Sequence, residues 1–509
     1  MLAPMLTALP DVAPRRRGAP YASRIATAGA GAAALLLGCG TPGVRGVAGT
    51  APAPNVAWTA PPQRPVAAPA ASLAALPPDL AERVAQLKLA DVIDIALRNN
   101  TATSAAWADA RAAAASYGAA KGQYYPTLSL AGTADALKTV PSNVPVSLTR
   151  QLYSATLNLS WLLLDFGGRA GAIGEAREAL LAADWTHNAT LQNVVLAVEQ
   201  AYFQYLGTKT LLVAQQTSVK EAQTTLEAAE QRHNVGLATI ADVLQAKTAL
   251  SQAQLTLEAT EGQLQTTRGA LALSMGLPAN VPYDVGVPSD TTVPLGISDS
   301  VESLIERAVR ERPDLAAQRT QVRAAQARLS VARSAALPSL SVSGNAGETH
   351  LLNPPANTPP WGNSYTGLLT LSIPLFSGGS QVYNINAASA AVEAATQRAA
   401  GFEQQVIYQV FNSYYALRTA TQQVRTSSDL LASATQSEQV ALGRYRAGAG
   451  TLIDLLTAET ALAAARAQSI QARFSWFIAL AQLARDTGIL GLDGGSPLHV
   501  LTDTTGMRR

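Results

Sequence analysis

The chain has a single cysteine, Cys39, in 509 residues. No internal disulfide can form, and no metal site built on several thiolates is available. Four histidines (His187, His233, His350, His499) lie far apart, without the short spacing that brings two imidazoles to one metal. No nucleophile motif or phosphate-cradling glycine loop is present, and the pairs Gly167-Gly168 and Gly378-Gly379 read as strand-to-helix turns. Catalysis, a bound metal and a resident cofactor are therefore not expected. Aromatic residues are 5% and charged residues 14%, with a net charge of +2. So few aromatics do not suit a core packed in the usual globular way, and the balanced charge lacks the field that nucleic acid requires. Four methionines (Met1, Met5, Met275, Met507) give no support to a copper relay. No run of about eighteen uninterrupted apolar residues occurs, so no transmembrane helix is predicted; a membrane crossing would have to be a closed β-barrel.

What is abundant is alanine, with glutamine, leucine and threonine, a composition for long, closely packed helices. One stretch occurs twice. Arg232-His233-Asn234-Val235-Gly236-Leu237-Ala238-Thr239-Ile240-Ala241-Asp242-Val243-Leu244 matches Arg444-Tyr445-Arg446-Ala447-Gly448-Ala449-Gly450-Thr451-Leu452-Ile453-Asp454-Leu455-Leu456 at Arg, Gly, Thr, Asp and the last Leu, an interval of 212. Each copy reads as a tight turn between two long helices. Gly supplies the left-handed residue after the first helix, and Thr caps the second. Two such tips imply a duplicated chain of helical hairpins.

The N-terminus reads as a targeting signal. Arg15, Arg16, Arg17 and Arg24 precede an apolar run from Ile25 to Leu37, too short to span a bilayer. Leu36-Leu37-Gly38-Cys39 resembles a bacterial lipobox. Residues 1–38 are expected to be cleaved between Gly38 and Cys39, leaving acyl chains on Cys39; an ordinary signal peptide with an incidental cysteine is the alternative. Gly40 follows, not the Asp of an inner-membrane retention signal, so the outer membrane is the default destination. Residues 39–80, rich in Pro and Ala, read as the anchor and an extended tether.

Two units follow, about 81–290 and 291–490, with a tail at 491–509. The first has a short amphipathic helix from Leu89 (Leu89, Val92, Ile93 and Ala96 on one face) and a second helix ended by Pro126. Strands are predicted at about 127–137 and 151–164. In the latter, Tyr153, Ala155, Leu157, Leu159, Trp161 and Leu163 alternate with Ser154, Thr156, Asn158 and Ser160. That pattern suits a strand with one face in lipid, or a half-buried strand of a soluble sheet. A helix from about 169 to 232 would reach roughly 95 Å at 1.5 Å per residue. The tip spans about 232–242. The second unit repeats the order, with Pro338 in register with Pro126, strands at about 339–349 and 364–376, and a tip at about 444–454. Tyr365, Gly367, Leu369, Leu371, Ile373 and Leu375 are assigned to one face of its last strand. Four membrane-type strands cannot close alone, whereas three chains give twelve.

With these elements in order, the chain resembles the TolC-type outer-membrane efflux factors of the lipid-anchored kind. The resemblance covers about residues 80–490. It rests on Ala96-Leu97-Arg98-Asn99-Asn100, Tyr125-Pro126-Thr127-Leu128, Leu159-Ser160-Trp161 to Gly168, Leu371 to Gly379, and both tips. It implies a mainly α protein whose homotrimer forms a 12-stranded membrane β-barrel, four strands per chain, on a long α-helical periplasmic tunnel. It implies a passive channel in the outer membrane of a Gram-negative bacterium, docked to a periplasmic adaptor (membrane fusion) protein and an inner-membrane pump of RND, ABC or MFS type. Gly236, Leu237, Thr239, Gly448, Ala449 and Thr451 match the tip positions where adaptors dock. Asp242 and Asp454 match acidic residues at the periplasmic aperture, or else they complement the dipoles of the helices they begin. Thr457 stands where some members carry a second aspartate. Tyr153, Leu157, Leu159, Trp161, Tyr365, Leu369 and Leu371 are assigned to the lipid-facing barrel wall. A type I protein secretion channel and a lipid-tethered coiled-coil scaffold without a pore are the competing readings.

Overall fold

The computed structural model describes residues 87–139, 148–286, 300–352, 354 and 357–490. The signal segment, Gly38, Cys39, the tether and the tail at 491–509 lie outside the described residues.

The first repeat begins with α1 (Leu89–Asn99), which buries Val92, Ile93, Ile95 and Ala96. Asn100 stops it and caps α2 (Thr101–Lys121), its side chain accepting from the Ala102 N–H at 2.8 Å. A short 3-10 turn, Gly122–Tyr124, and Pro126 lead into β1 (Thr127–Thr139) and β2 (Leu148–Leu164). Then come α3 (Gly168–Asn234) and α4 (Ile240–Ser274). The second repeat gives α5 (Val301–Glu311), α6 (Pro313–Ser334), β3 (Ser339–Leu352), β4 (Trp361–Ser372), α7 (Ser380–Arg446) and α8 (Leu452–Asp486). Pro313 occupies the first turn of α6, as expected of a ring that fixes a helical φ and lacks an N–H.

The strands differ at their ends from the sequence-based expectation. β1, β2 and β3 run further into the segments expected to be loops, because cross-strand pairing continues to Thr139↔Leu148 and Gln151↔Leu352. β4 starts earlier, at Trp361, and stops at Ser372, so Ile373 and Leu375 are not strand residues. Pro374 has no N–H to offer a ladder, and the alternation of apolar residues past it is coincidence of composition.

The sheet is an antiparallel meander in the order β1-β2-β3-β4. Its internal pairings repeat with the tips: Thr127↔Ser160 in the first half corresponds to Ser339↔Ser372 in the second. Both 67-residue helices, α3 and α7, start beside the sheet and end at a tip. At 1.5 Å per residue each spans about 100 Å. The main core lies partway along them, where α1, α5, the end of α4 and the end of α8 bury Ile95, Leu206, Met275, Leu304, Leu417 and Leu483. Smaller clusters nearer the tips, such as Ala229, Ala246, Tyr445, Leu452 and Leu455, keep the helices in contact by setting alanines against larger side chains.

Candidate functional site

Pairing sorts the sheet into two unlike faces. Successive residues of a strand point to opposite sides, and paired residues share a side. One face carries the rows Trp161–Val342–Leu369, Leu128–Leu159–Gly344–Gly367 and Leu130–Leu157–Ala346–Tyr365. These rows are apolar, and their large side chains are exposed: Leu130 is 76% accessible, Leu369 63% and Tyr365 78%. The row Gly132–Ala155–Glu348–Asn363 is the polar exception on the same side. The assigned wall residues Tyr153, Leu157, Leu159, Trp161, Tyr365, Leu369 and Leu371 all fall on this face and are exposed. A row of Tyr153, His350 and Trp361 bounds it at one end, with the His350 and Trp361 rings 4.1 Å apart. Trp161, Phe166, Phe376 and Tyr125 stand at the helix end, where Trp161 Nε1 donates to the Tyr124 carbonyl at 2.9 Å. Eight residues separate Tyr153 from Trp161, roughly 20 Å along the normal for strands tilted as in barrels. That is close to the apolar height of a membrane barrel, with aromatics at both rims.

The other face is rich in hydroxyls and amides, with Leu152, Leu162 and Leu368 among them. Ser154, Thr156, Asn158 and Ser160 face the same side as Ser341, Ser343 and Asn345. Thr133 Oγ1 and Ser154 Oγ meet across the β1–β2 ladder at 2.8 Å. Hydroxyls can donate or accept by rotating, so this face remains satisfied against water.

At the tips, both glycines take the left-handed conformation, φ +79° at Gly236 and +74° at Gly448. The backbone closes as a double C-terminal cap: Leu237 N–H reaches the Arg232 carbonyl at 2.7 Å, and Ala449 N–H reaches the Arg444 carbonyl at 2.9 Å. The next helices start with reciprocal caps. Thr239 and Thr451 accept from the N–H of Asp242 and Asp454, whose carboxylates accept from the threonine N–H groups at 2.8 and 3.2 Å. Hydrogen bonds from the Thr239 backbone and side chain hold the Asp242 carboxyl below its ordinary range, and those from Thr451 do the same for Asp454. Asp454 is exposed and Asp242 half-buried. Each thus serves its own helix start, and each also keeps a charged oxygen in water.

The two tips are not equivalent. A side-chain carbon placed on Gly236 meets no atom within 4 Å, and one on its counterpart Gly448 meets only Arg232 Nη2 at 3.9 Å. The difference lies at Gly450, counterpart of Ala238, where such a carbon comes within 3.1 Å of Arg444 Cβ. Leu237 is exposed, and a groove of about 820 Å³ runs beside it, lined by Arg232, Val235, Leu237, Tyr445, Gly448 and Leu455 among others. A second groove of about 360 Å³ carries Arg444, Gly450, Asp454 and Thr457. The structure therefore brings Leu237 and Gly448 to one groove and places Asp454 on another.

Several contacts between the hairpins had no signal in the sequence. Arg232 Nη1 donates to the Tyr445 carbonyl at 2.6 Å. Arg466 grips Glu221 with two bonds, at 2.7 and 3.0 Å. Thr225 donates to Glu459 at 2.6 Å. Further up, the buried Arg312 binds Asp314 at 2.6 Å and the Asp486 carbonyl at 3.2 Å, where Asn100 of the first repeat binds the Ser274 carbonyl. The interval of 212 makes Asn100 and Arg312 counterparts.

A family model described as outer membrane efflux protein matches residues 92–277 and 304–488. Protein CyaE of Bordetella pertussis is 28% identical over 442 residues, covering 85% of this chain and 90% of that one. The probable outer membrane lipoprotein SilC of Salmonella typhimurium is 25% identical over 332 residues, covering 64% and 70%. The crystal structure of a membrane protein from Pseudomonas aeruginosa superposes with a TM-score of 0.70 at 26% identity, over 79% of this chain and 93% of that one.

Proposed function

The chain belongs to the outer membrane efflux protein family, and from that premise we propose that three copies of it close one twelve-stranded barrel continued by a helical tunnel. The protein is an outer-membrane efflux channel of a Gram-negative bacterium, not an enzyme. The observation that carries the trimer is the four-stranded sheet. Its largely apolar face is exposed, and among the described residues β1 and β4 each leave one edge without a strand neighbour. An open edge in hydrocarbon leaves backbone groups unpaired at several kcal/mol each, so the edges must meet those of other copies. The helices offer the same two flanks. α2 and α4 pack mainly on α3, while α7 packs on α6 and α8 and turns its other side, with Tyr408 and Phe411, outward.

The chain contains a template for the contact between copies. Within one copy, β2 of the first repeat pairs with β3 of the second. Advancing Leu157 by the repeat interval gives Leu369, and setting its partner Ala346 back by the same interval gives Ala134. β4 of one copy then pairs with β1 of the next, with Leu369 opposite Ala134. Cysteines at those two positions should form inter-copy disulfides on oxidation, since opposed strand residues fall within bridging distance. Leu369→Cys combined with Gly132→Cys, one pleat out of register, should cross-link much less. Purified full-length protein should be trimeric and conduct ions in planar bilayers. Monomers without conductance, or equal cross-linking in both registers, would defeat this reading.

The adaptor and the pump are the partners that the efflux role implies. Docking is assigned to Gly236, Leu237 and Thr239 on the first tip, and to Gly448, Ala449 and Thr451 on the second. The groove beside Leu237 and the open space around Gly236 support it. Asp242 and Asp454 are assigned to the periplasmic aperture, where three copies of each would repel one another and attract cations. Lipid on Cys39 would tether the chain to the outer membrane. Tritiated palmitate should label the parent protein and not Cys39→Ser.

A further inference from the structure

The tip-ward seam between the hairpins is narrow and built of small residues. α3 presents Ala222, Thr225 and Ala229, all buried, one turn apart on one face. Leu455 of α8 is buried in one cluster with Ala229. Three polar rungs cross it from α3: Glu221 to Arg466, Thr225 to Glu459, and Arg232 to Tyr445. The positions 221, 225 and 232 lie four and eleven residues along, again one helix face.

The middle rung is out of balance. Glu459 is half-buried and receives one hydrogen bond, from a neutral hydroxyl. The carboxylates facing it are Glu221 on α3 and Glu438 on α7. Arg466 on its own helix is already committed to Glu221. Arg446 of α7 acts on Glu438. α4 faces the cluster across a groove with Ala249, Gln252 and Ala253, which bring no charge.

We infer that Glu459 is a positioning residue that makes the seam between the two hairpins close more firmly in acid than in base. The reason is the cost of packing a third carboxylate into the seam. Burial raises the Glu459 carboxyl, and Glu438 and Glu221 add to the rise while the Thr225 bond opposes it. Burial, then Glu221, raise Glu438 in the same way, against Arg466 and Arg446. When the seam parts, Glu459 returns to water and to the ordinary carboxylate range. The closed seam therefore holds more protons. Its stability is full below that ordinary range and falls as pH rises through the raised value. That a looser seam also widens the periplasmic mouth rests on the channel reading above.

The test uses full-length protein in lipid nanodiscs with nitroxides at the exposed Thr224 of α3 and Thr457 of α8, read by pulsed EPR. Between pH about 5 and about 8, the fraction at longer separation should rise at least about threefold in the parent. Glu459→Gln, which mimics the protonated form, should hold the short distance at both values. Thr225→Val removes the bond that favours the charged form and should move the transition to higher pH. Identical distributions at both pH values in the parent, or a Glu459→Gln protein that follows pH like the parent, would overturn the inference. A seam that responds while single-channel conductance does not would uphold the role of Glu459 and remove only its link to the pore.

Discussion

Arg232, in the last turn of α3, donates to the backbone carbonyl of Tyr445 and lays its guanidinium 4.7 Å from the centroid of that tyrosine ring. The same Tyr445 carbonyl receives the Gly448 N–H of the second tip. One side chain of the first hairpin is thus built into the turn of the second. Replacing it with Ala should cost the tip region about 1–2 kcal/mol, the sum of a charged hydrogen bond and a cation–π contact. Hydrogen exchange over 442–456 should speed up accordingly. Lys at 232 should recover less than half, because an ammonium cannot both fork to the carbonyl and stack on the ring.

Gly236 and Gly448 need the left-handed conformation, which costs an L-residue about 1 kcal/mol or more. Ala at either position should lower stability by that much and leave export nearly intact. A bulky residue such as Leu at both should abolish export, measured as drug or ion accumulation in cells carrying the matching pump, with the trimer still in the membrane. Normal export in the double Leu variant would remove the tips from the docking surface.

The carboxylates of Asp242 and Asp454 sit below the ordinary range because threonine groups donate to them. Stability from these caps is therefore present above the ordinary carboxylate range. It is lost as pH falls through the lowered values, so the helix starts should hold at pH about 5 and loosen only in stronger acid. Asp454→Asn keeps a capping acceptor and removes the charge. If Asp454 lines a constriction, that variant should lower cation selectivity in planar bilayers; if it serves the helix alone, selectivity should stay and Thr451→Ala should loosen the helix start as much as Asp454→Ala.

Arg312 is 2% accessible and ties the α5–α6 junction to the end of α8. Arg312→Ala leaves Asp314 with Arg485, at 3.4 Å, as its remaining cation, and should cost roughly 3 kcal/mol, the lower end for a broken buried pair, visible as a lower melting temperature. The first repeat does the same task with Asn100 and has Ala102 where the second has Asp314. The double change Arg312→Asn with Asp314→Ala should therefore recover most of the loss. Failure of the double variant to exceed Arg312→Ala would show that the ion pair and not the carbonyl bond holds the junction.

The readable part of this protein was the part with local causes. Gly at 236 and 448, Thr at 239 and 451, and Pro at 126, 313 and 338 each act on their own backbone, so the turns, caps and helix starts were legible. Alternation along β2 was equally local, and the faces of the strand follow it. The end of β4 is not legible, because apolar alternation runs on through Pro374 while the ladder stops at Ser372. Phe166, at φ +48° just before Gly167, gave no warning, because a positive φ at an aromatic residue is imposed by the turn around it.

The sequence by itself determined the order of elements, the duplication at an interval of 212, and the family. Period, capping and interval are all properties of neighbours along the chain. The tertiary structure decided which charges meet. Arg232 with Tyr445, Glu221 with Arg466, and Thr225 with Glu459 are each more than two hundred residues apart. Nothing in the local pattern of an Ala-rich helix marks those positions, because a contact between two helices is fixed by how they lie against each other. The same holds for the two tip aspartates. Their shared Thr–Asp spacing is a property of the sequence, but that Asp454 opens on a groove with Arg444 and Gly450 depends on the packing of α7 against α8.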